Sequence, residues 1–436
     1  METTEVFGVS KEMVKSYVER EEVNGKFLNA LKEEKHIVVY GSSKQGKSAM
    51  VEKHIPPDER ITVNSSPKMT TKDIYTSVLR QVGVEILTTI ERSTAINGQL
   101  EGQTHFNTTI PFIAQGDFGI NGNIGSGCQE KQMTEMWEFN VEIAQDVIEL
   151  LRQHKFNKYI VLENFHYLND EIQRAFSIDL RVFQDSGIRF IILGIWKEKN
   201  RLLQFNRDLL DRITEVPVEP WESKDFKKVI SLGEKQLNVR ITEDITDDII
   251  SNSFGNIGIV QELCKYLCLL SGVTKRPNVR KEICSKEILD KALNQKAEDY
   301  RASHIRSLEC IASASLRTRG LYMPYYLIVV LAHIDVNELF LGIPRSKLLP
   351  LFKQRHYRPD DVRSSDLTYL LNNLAGLQLK NYINPPLIDY DLVGRKLRVI
   401  DATLLYFLKF EDIERLMEDI EIPIDENQIM FDMDSI

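Results

Sequence analysis

The residues best equipped for chemistry are Gly41-Ser42-Ser43-Lys44-Gln45-Gly46-Lys47-Ser48, which fit the pattern G-x-x-x-x-G-K-[ST]. Two glycines let the backbone wrap a phosphate chain, and successive N–H groups and a helix N-terminus face the anion. Lys47 adds a positive charge near the terminal phosphates, and the Ser48 hydroxyl is a ligand for Mg²⁺. Such a loop works only between a strand and a helix. The flanks supply both: the apolar run Ile37-Val38-Val39-Tyr40 before it and a helix-compatible stretch from Ala49 after it.

A loop of this type needs an acid at the end of a neighbouring strand to hold the metal, often followed by a group that orients the attacking water. Lys158-Tyr159-Ile160-Val161-Leu162 is a buried-strand run that ends on Glu163-Asn164. Glu163 can reach the metal shell. Asn164 is a poor proton acceptor, so any hydrolysis is expected to be slow unless Glu163 itself polarises the water. His166, just beyond, is expected to pack rather than react.

Composition narrows the alternatives. The chain has 436 residues, 42% of them hydrophobic, enough for two to four domains with sizeable cores. No run approaches the ~18 apolar residues of a membrane helix, and Met1-Glu2-Thr3-Thr4-Glu5 lacks a basic then apolar leader; a cytoplasmic location without membrane partners is expected. The cysteines (Cys128, Cys264, Cys268, Cys284, Cys310) form no Cys-x-x-Cys pair, and Cys264 and Cys268 share a helical face, as small core residues do. The net charge is −9, and residues 411–436, with ten acids against Arg415, carry all of it. Bulk charge therefore gives no reason for nucleic-acid affinity, although a local basic patch can.

The elements that must position the loop follow from periodicity. Residues 11–33 read as helical, Arg60–Asn64 as a second strand, and Thr70 or Thr71 as the cap of a helix through Val82. A Gly, Asn, Thr and Gln-rich stretch at about 93–128 suggests a polar β-ribbon insert. A helix is predicted from Thr134 to Gln153, another from Glu171 to Gln184, and a buried strand over Arg189–Gly194. Strands alternating with helices predict an α/β fold, a P-loop NTPase parallel sheet with both faces covered, over residues 1–220. After Pro220 the pattern turns helical, giving a small helical lid over 221–299. Residues 300–410, with helical periodicity from Tyr300 to His333, further helices from Arg345 and Ser365, then a hairpin around Gly394, describe a winged-helix domain. An acidic helix or tail fills 411–436.

With the loop, the Glu163 strand and this layout together, residues 15–410 resemble the AAA+ and STAND ATPases. The resemblance implies ATP and Mg²⁺ as cofactors. It implies that Tyr17-Val18-Glu19-Arg20 packs on the base, with Tyr17, Val18 and Arg20 in the binding set. It also implies that Arg212, in Leu209-Leu210-Asp211-Arg212, contacts the terminal phosphate across a subunit boundary. A polar sensor near Gly194-Ile195-Trp196 is missing, and Ser253-Phe254-Gly255-Asn256-Ile257-Gly258 has neither the sensing arginine nor the Gly-x-Pro of such lids. The expected role is a nucleotide-controlled switch, as a homo-oligomer or acting on a separate effector protein; several STAND relatives act in anti-phage defence. The alternative is a DNA-directed ATPase that grips DNA through Arg395, Lys396 and Arg398: from Pro344 to Lys409 the chain holds eleven basic residues against six acidic.

Overall fold

Five strands join into a single parallel sheet in the computed structural model, which describes residues 1–10, 13–84, 109–112, 137–196, 201–314, 320–383, 385–392 and 394–420. In chain order the first strands are β1 (His36–Tyr40), β2 (Arg60–Asn64), β3 (Thr109–Phe112), β4 (Trp137–Asn140), β5 (Tyr159–Glu163), β6 (Phe190–Gly194) and β7 (Ile213–Pro217). The sheet runs β2-β5-β6-β1-β7, with every neighbouring pair parallel. Alternation along β1 splits its side chains between two cores. Ile37 and Val39 join Phe27, Met50 and Val51 on one face; Val38 and Tyr40 join Ile74, Ile148, Phe176 and Leu180 on the other. Helices cover both faces, so β1 and β6 are buried at every position. The fold is that of a P-loop NTPase core.

The start of β1 is pinned by a polar residue. His36 is fully buried, its Nε2 2.7 Å from the Leu180 carbonyl while Nδ1 accepts from the Phe190 N–H at 3.0 Å. That pairing fixes the proton on Nε2, and burial pushes the imidazole down to about 4.

Two local expectations change. The helix predicted from Thr134 begins at Ala144, because Trp137–Asn140 forms β4 and pairs antiparallel with β3. Trp137-Glu138-Phe139 alternates with a period of two, and the Asn140 N–H bonded to Asp146 Oδ2 at 2.7 Å marks the turn into the helix. Among the described residues of 11–33, only Glu21–Leu31 is helical. The remainder of the 93–128 insert and residues 421–436 lie outside the described residues.

Beyond Pro220, helices Ser223–Leu237, Glu243–Asn252 and Ile257–Leu270 pack with a short parallel pair, β8 (Val239–Ile241) and β9 (Lys281–Ile283). The N-terminal segment belongs to this packing: Phe7 is fully buried against helix Ser223–Leu237, where a Cβ on Gly233 would lie 2.0 Å from Phe7 Cζ. The C-terminal region begins with helix Lys286–Ala312. The expected run from Tyr300 to His333 divides here, a second helix starting at Met323 with Pro324 in its first turn. Helices Arg345–Arg355 and Ser364–Lys380 precede a three-stranded antiparallel sheet of β10 (Ile343–Pro344), β11 (Ile388–Asp391) and β12 (Lys396–Val399), ordered β10-β12-β11. One apolar cluster runs from Val6 through the lid helices to Ile420. No helix among the described residues is long and apolar enough to cross a membrane.

Candidate functional site

A parallel sheet puts all strand C-termini on one edge, and the crevice outside that edge is where open α/β sheets bind ligands. Gly41 follows β1 there, Glu163 ends β5, Ile195 follows β6 and Val218 follows β7. The loop's conformation shows why glycine stands at both ends. Gly46 has φ +82°, and Gly41 has φ +150° with Val218 Cγ2 only 2.6 Å from where a Cβ would sit. Lys44, at φ +60°, adopts the left-handed region as well. Helix Lys47–His54 starts immediately after Gly46, aiming its N-terminus into the loop.

Lys47 Nζ donates to the carbonyls of Gly41 at 2.9 Å and Ser42 at 2.7 Å, folded back on its own loop. Burial pushes the ammonium down to about 8, while Glu219 and Glu163 pull it upward. Ser48 Oγ donates to Glu163 Oε2 at 3.0 Å, joining the loop to the acidic strand. Burial holds the Glu163 carboxyl above its usual range, with the Ser48 hydrogen bond opposing that rise. Asn164 takes a left-handed φ of +57° and caps the one-turn helix Phe165–Tyr167. No group of three or more His, Cys, Asp or Glu among the described residues could hold a metal alone. A hydroxyl and one carboxylate suit Mg²⁺, which takes a few protein oxygens and completes its shell from phosphates and water.

A cavity of about 310 Å³ opens beside the loop. Its lining includes Tyr17, Val18, Arg20, Trp221 and Ile257 together with Lys47, Ser48, Glu163, Asn164 and His166. Arg20 is held within the protein: its guanidinium lies 3.9 Å from the Trp221 ring centroid and donates to the carbonyls of Val218 at 2.7 Å and Pro220 at 3.2 Å. Tyr17 Oη accepts from Asn24 at 2.9 Å. Burial pushes the imidazole of His166, which also lines the cavity, down to about 4.

Two predicted residues have their charged ends engaged elsewhere. Arg212 precedes β7 at the opposite edge of the sheet, where its guanidinium bonds Asp185 and, at 3.2 Å, Gln184 Oε1. It cannot meet the phosphate loop of its own chain. Lys44 leaves the loop toward the C-terminal region, its ammonium 5.1 Å from the Tyr300 ring centroid.

Sequence reasoning missed the residues that brace the loop. Glu219 Oε2 accepts from the Ser42 N–H at 2.7 Å and the Ser42 hydroxyl at 3.1 Å, and its Oε1 accepts from Gln45 Nε2 at 2.7 Å. Gln45 is buried and reaches the lid as well, donating to the Gly255 carbonyl at 3.2 Å and accepting from the Ile257 N–H at 3.4 Å. Asn256 Nδ2 donates to the Ser43 carbonyl at 2.9 Å. The segment around Gly255–Ile257 is thus seated on the loop through amide side chains.

Loop, acid and parallel sheet define the class: a P-loop nucleoside triphosphatase fold. No family description matches the sequence, and no curated protein does. Similar solved structures include the Walker-type ATPase paby2304 of Pyrococcus abyssi, at 12% identity and TM-score 0.45, over 90% of this chain and 96% of that one. The Aeropyrum pernix ORC1 protein in complex with DNA has 11% identity and TM-score 0.41, over 92% and 95% of the two chains. The Thermotoga maritima RuvB Holliday junction branch migration motor has 12% identity and TM-score 0.39, over 91% and 96%. Likenesses this distant do not bear on what this chain binds.

Proposed function

We propose that this chain binds ATP with Mg²⁺ and acts as an AAA+/STAND-like switch whose bound nucleotide sets how the lid and C-terminal region meet partners. The observation that carries this reading is the loop itself, joined to Glu163 through Ser48 and opening into a cavity that Tyr17, Val18 and Trp221 also line. Loop N–H groups, the helix N-terminus and Lys47 bind the phosphates; Ser48 and Glu163 hold the metal, which supplies charge neutralisation on the phosphate oxygens when bound. Glu163 is the one carboxylate at the end of β5, and Asn164 beside it cannot act as a base, which supports slow hydrolysis and a signalling role. Arg212 faces away from its own site, so any contact it makes with a nucleotide is in a neighbouring copy of a homo-oligomer. A role in anti-phage defence, through a separate effector protein, accords with the STAND resemblance.

Lys47→Ala is expected to weaken ATP binding at least about 100-fold, since it removes a buried cation meeting phosphate. Titration of a fluorescent ATP analogue with Mg²⁺ reads this; wild-type affinity in the variant would end the proposal.

The second reading is a DNA-directed ATPase with a winged helix. Arg395, exposed at φ +50° on the turn between β11 and β12, favours it, with Lys396 and Arg398 alongside on β12.

A further inference from the structure

We infer that Glu219 is a positioning residue that, through Gln45, locks the lid to the phosphate loop; its part in nucleotide binding rests on the ATP reading above. Three observations meet at this residue. Its carboxylate takes both an N–H and a hydroxyl of Ser42, which fixes the entry of the loop from outside the phosphate-facing side. The same carboxylate holds Gln45, whose remaining polar atoms serve the lid backbone at Gly255 and Ile257. The segment bearing Glu219 is itself clamped, because Arg20 donates to the carbonyls on either side, at Val218 and Pro220.

The chemistry favours a brace over a ligand-binding acid. Each of the four polar atoms of the Glu219 and Gln45 side-chain ends has a protein partner, and Gln45 is 2% exposed. A buried amide with its donors and acceptor all satisfied resists being pulled to one side. Loop geometry, lid position and the Arg20 clamp therefore share one buried junction. A ligand that shifts the loop must either move the lid with it or break this junction.

Hydrogen–deuterium exchange on the ligand-free full chain tests the junction without nucleotide. Glu219→Ala is expected to raise exchange about ten-fold or more in residues 42–46 and 253–258 only, leaving β6 as protected as in wild type. Glu219→Gln, which keeps an oxygen for the Ser42 N–H but sets an NH2 against the Gln45 NH2, is expected to restore protection near residue 42 and not in 253–258. Gln45→Ala is expected to free the lid segment alone, and the double variant with Glu219→Ala to add nothing more there. Unchanged exchange in Glu219→Ala overturns the inference. So does a rise spread evenly over β6 and the lid, which is what global destabilisation gives. If ATP fails to bind wild type while these segments respond as stated, the nucleotide reading falls and the junction stands.

Discussion

The charge state of a single lysine gives the site a measurable pH signature. Burial strips water from Lys47 and pushes it down to about 8, and its Nζ donates to two loop carbonyls. As the pH rises through 8 the ammonium is lost. An arriving phosphate restores the attraction and draws the pKa back up, so binding must take up a proton. ATP affinity is expected to fall steadily from pH 8 to about 10, the ordinary lysine range. Calorimetry in two buffers of different ionisation heat is expected to report net proton uptake near pH 8.5. A flat affinity profile with no proton uptake would contradict the burial of this side chain.

Among the elements, the strands and the loop were legible because their signals are local: an apolar run, two glycines at fixed offsets, an acid at a strand end. Thr70 was legible as a cap because its partner, Asp73, is three residues away. Glu219 was not, since Ser42 and Gln45 lie 177 and 174 residues from it and nothing nearby marks it as a brace. β4 was misread as helix because Trp137 and Val141, four residues apart, also suit a helical stripe, and only pairing with β3 decides between the two periods. The attachment of residues 1–9 to the lid was likewise invisible, though it yields a prediction with an unusual sign. In the middle of a helix, alanine normally stabilises relative to glycine by about 1 kcal/mol. At Gly233 a Cβ would strike the Phe7 ring at 2.0 Å, so Gly233→Ala is expected to destabilise by about 1–3 kcal/mol and lower the melting temperature. Adding Phe7→Ala should remove that steric part. A higher melting temperature in Gly233→Ala would mean that Phe7 does not pack there.

For the whole molecule, the arrangement of charge restricts what the C-terminal region can do with DNA. Helix Ser364–Lys380, which precedes the hairpin, exposes Ser365, Tyr369, Asn372 and Leu379, and Lys380 at its end is its one cation. Without cations along that face, binding would rest on phosphate contacts from Arg395, Lys396 and Arg398 and would read little sequence. Affinity for a random duplex is then expected to fall with salt, and replacing Arg395 and Lys396 by alanine should lower the slope of log K against log salt by about 2. A salt-insensitive interaction, or an unchanged slope, would remove DNA from the possible partners of this surface. The continuous apolar cluster from Val6 to Ile420 has a practical consequence of another kind. Lid and C-terminal half share one interior, so cutting the chain between them near Lys286 would leave two sticky faces in water. Neither piece can be traded like a cassette, and a protease nick at that joint should precipitate the protein instead of releasing two tidy fragments.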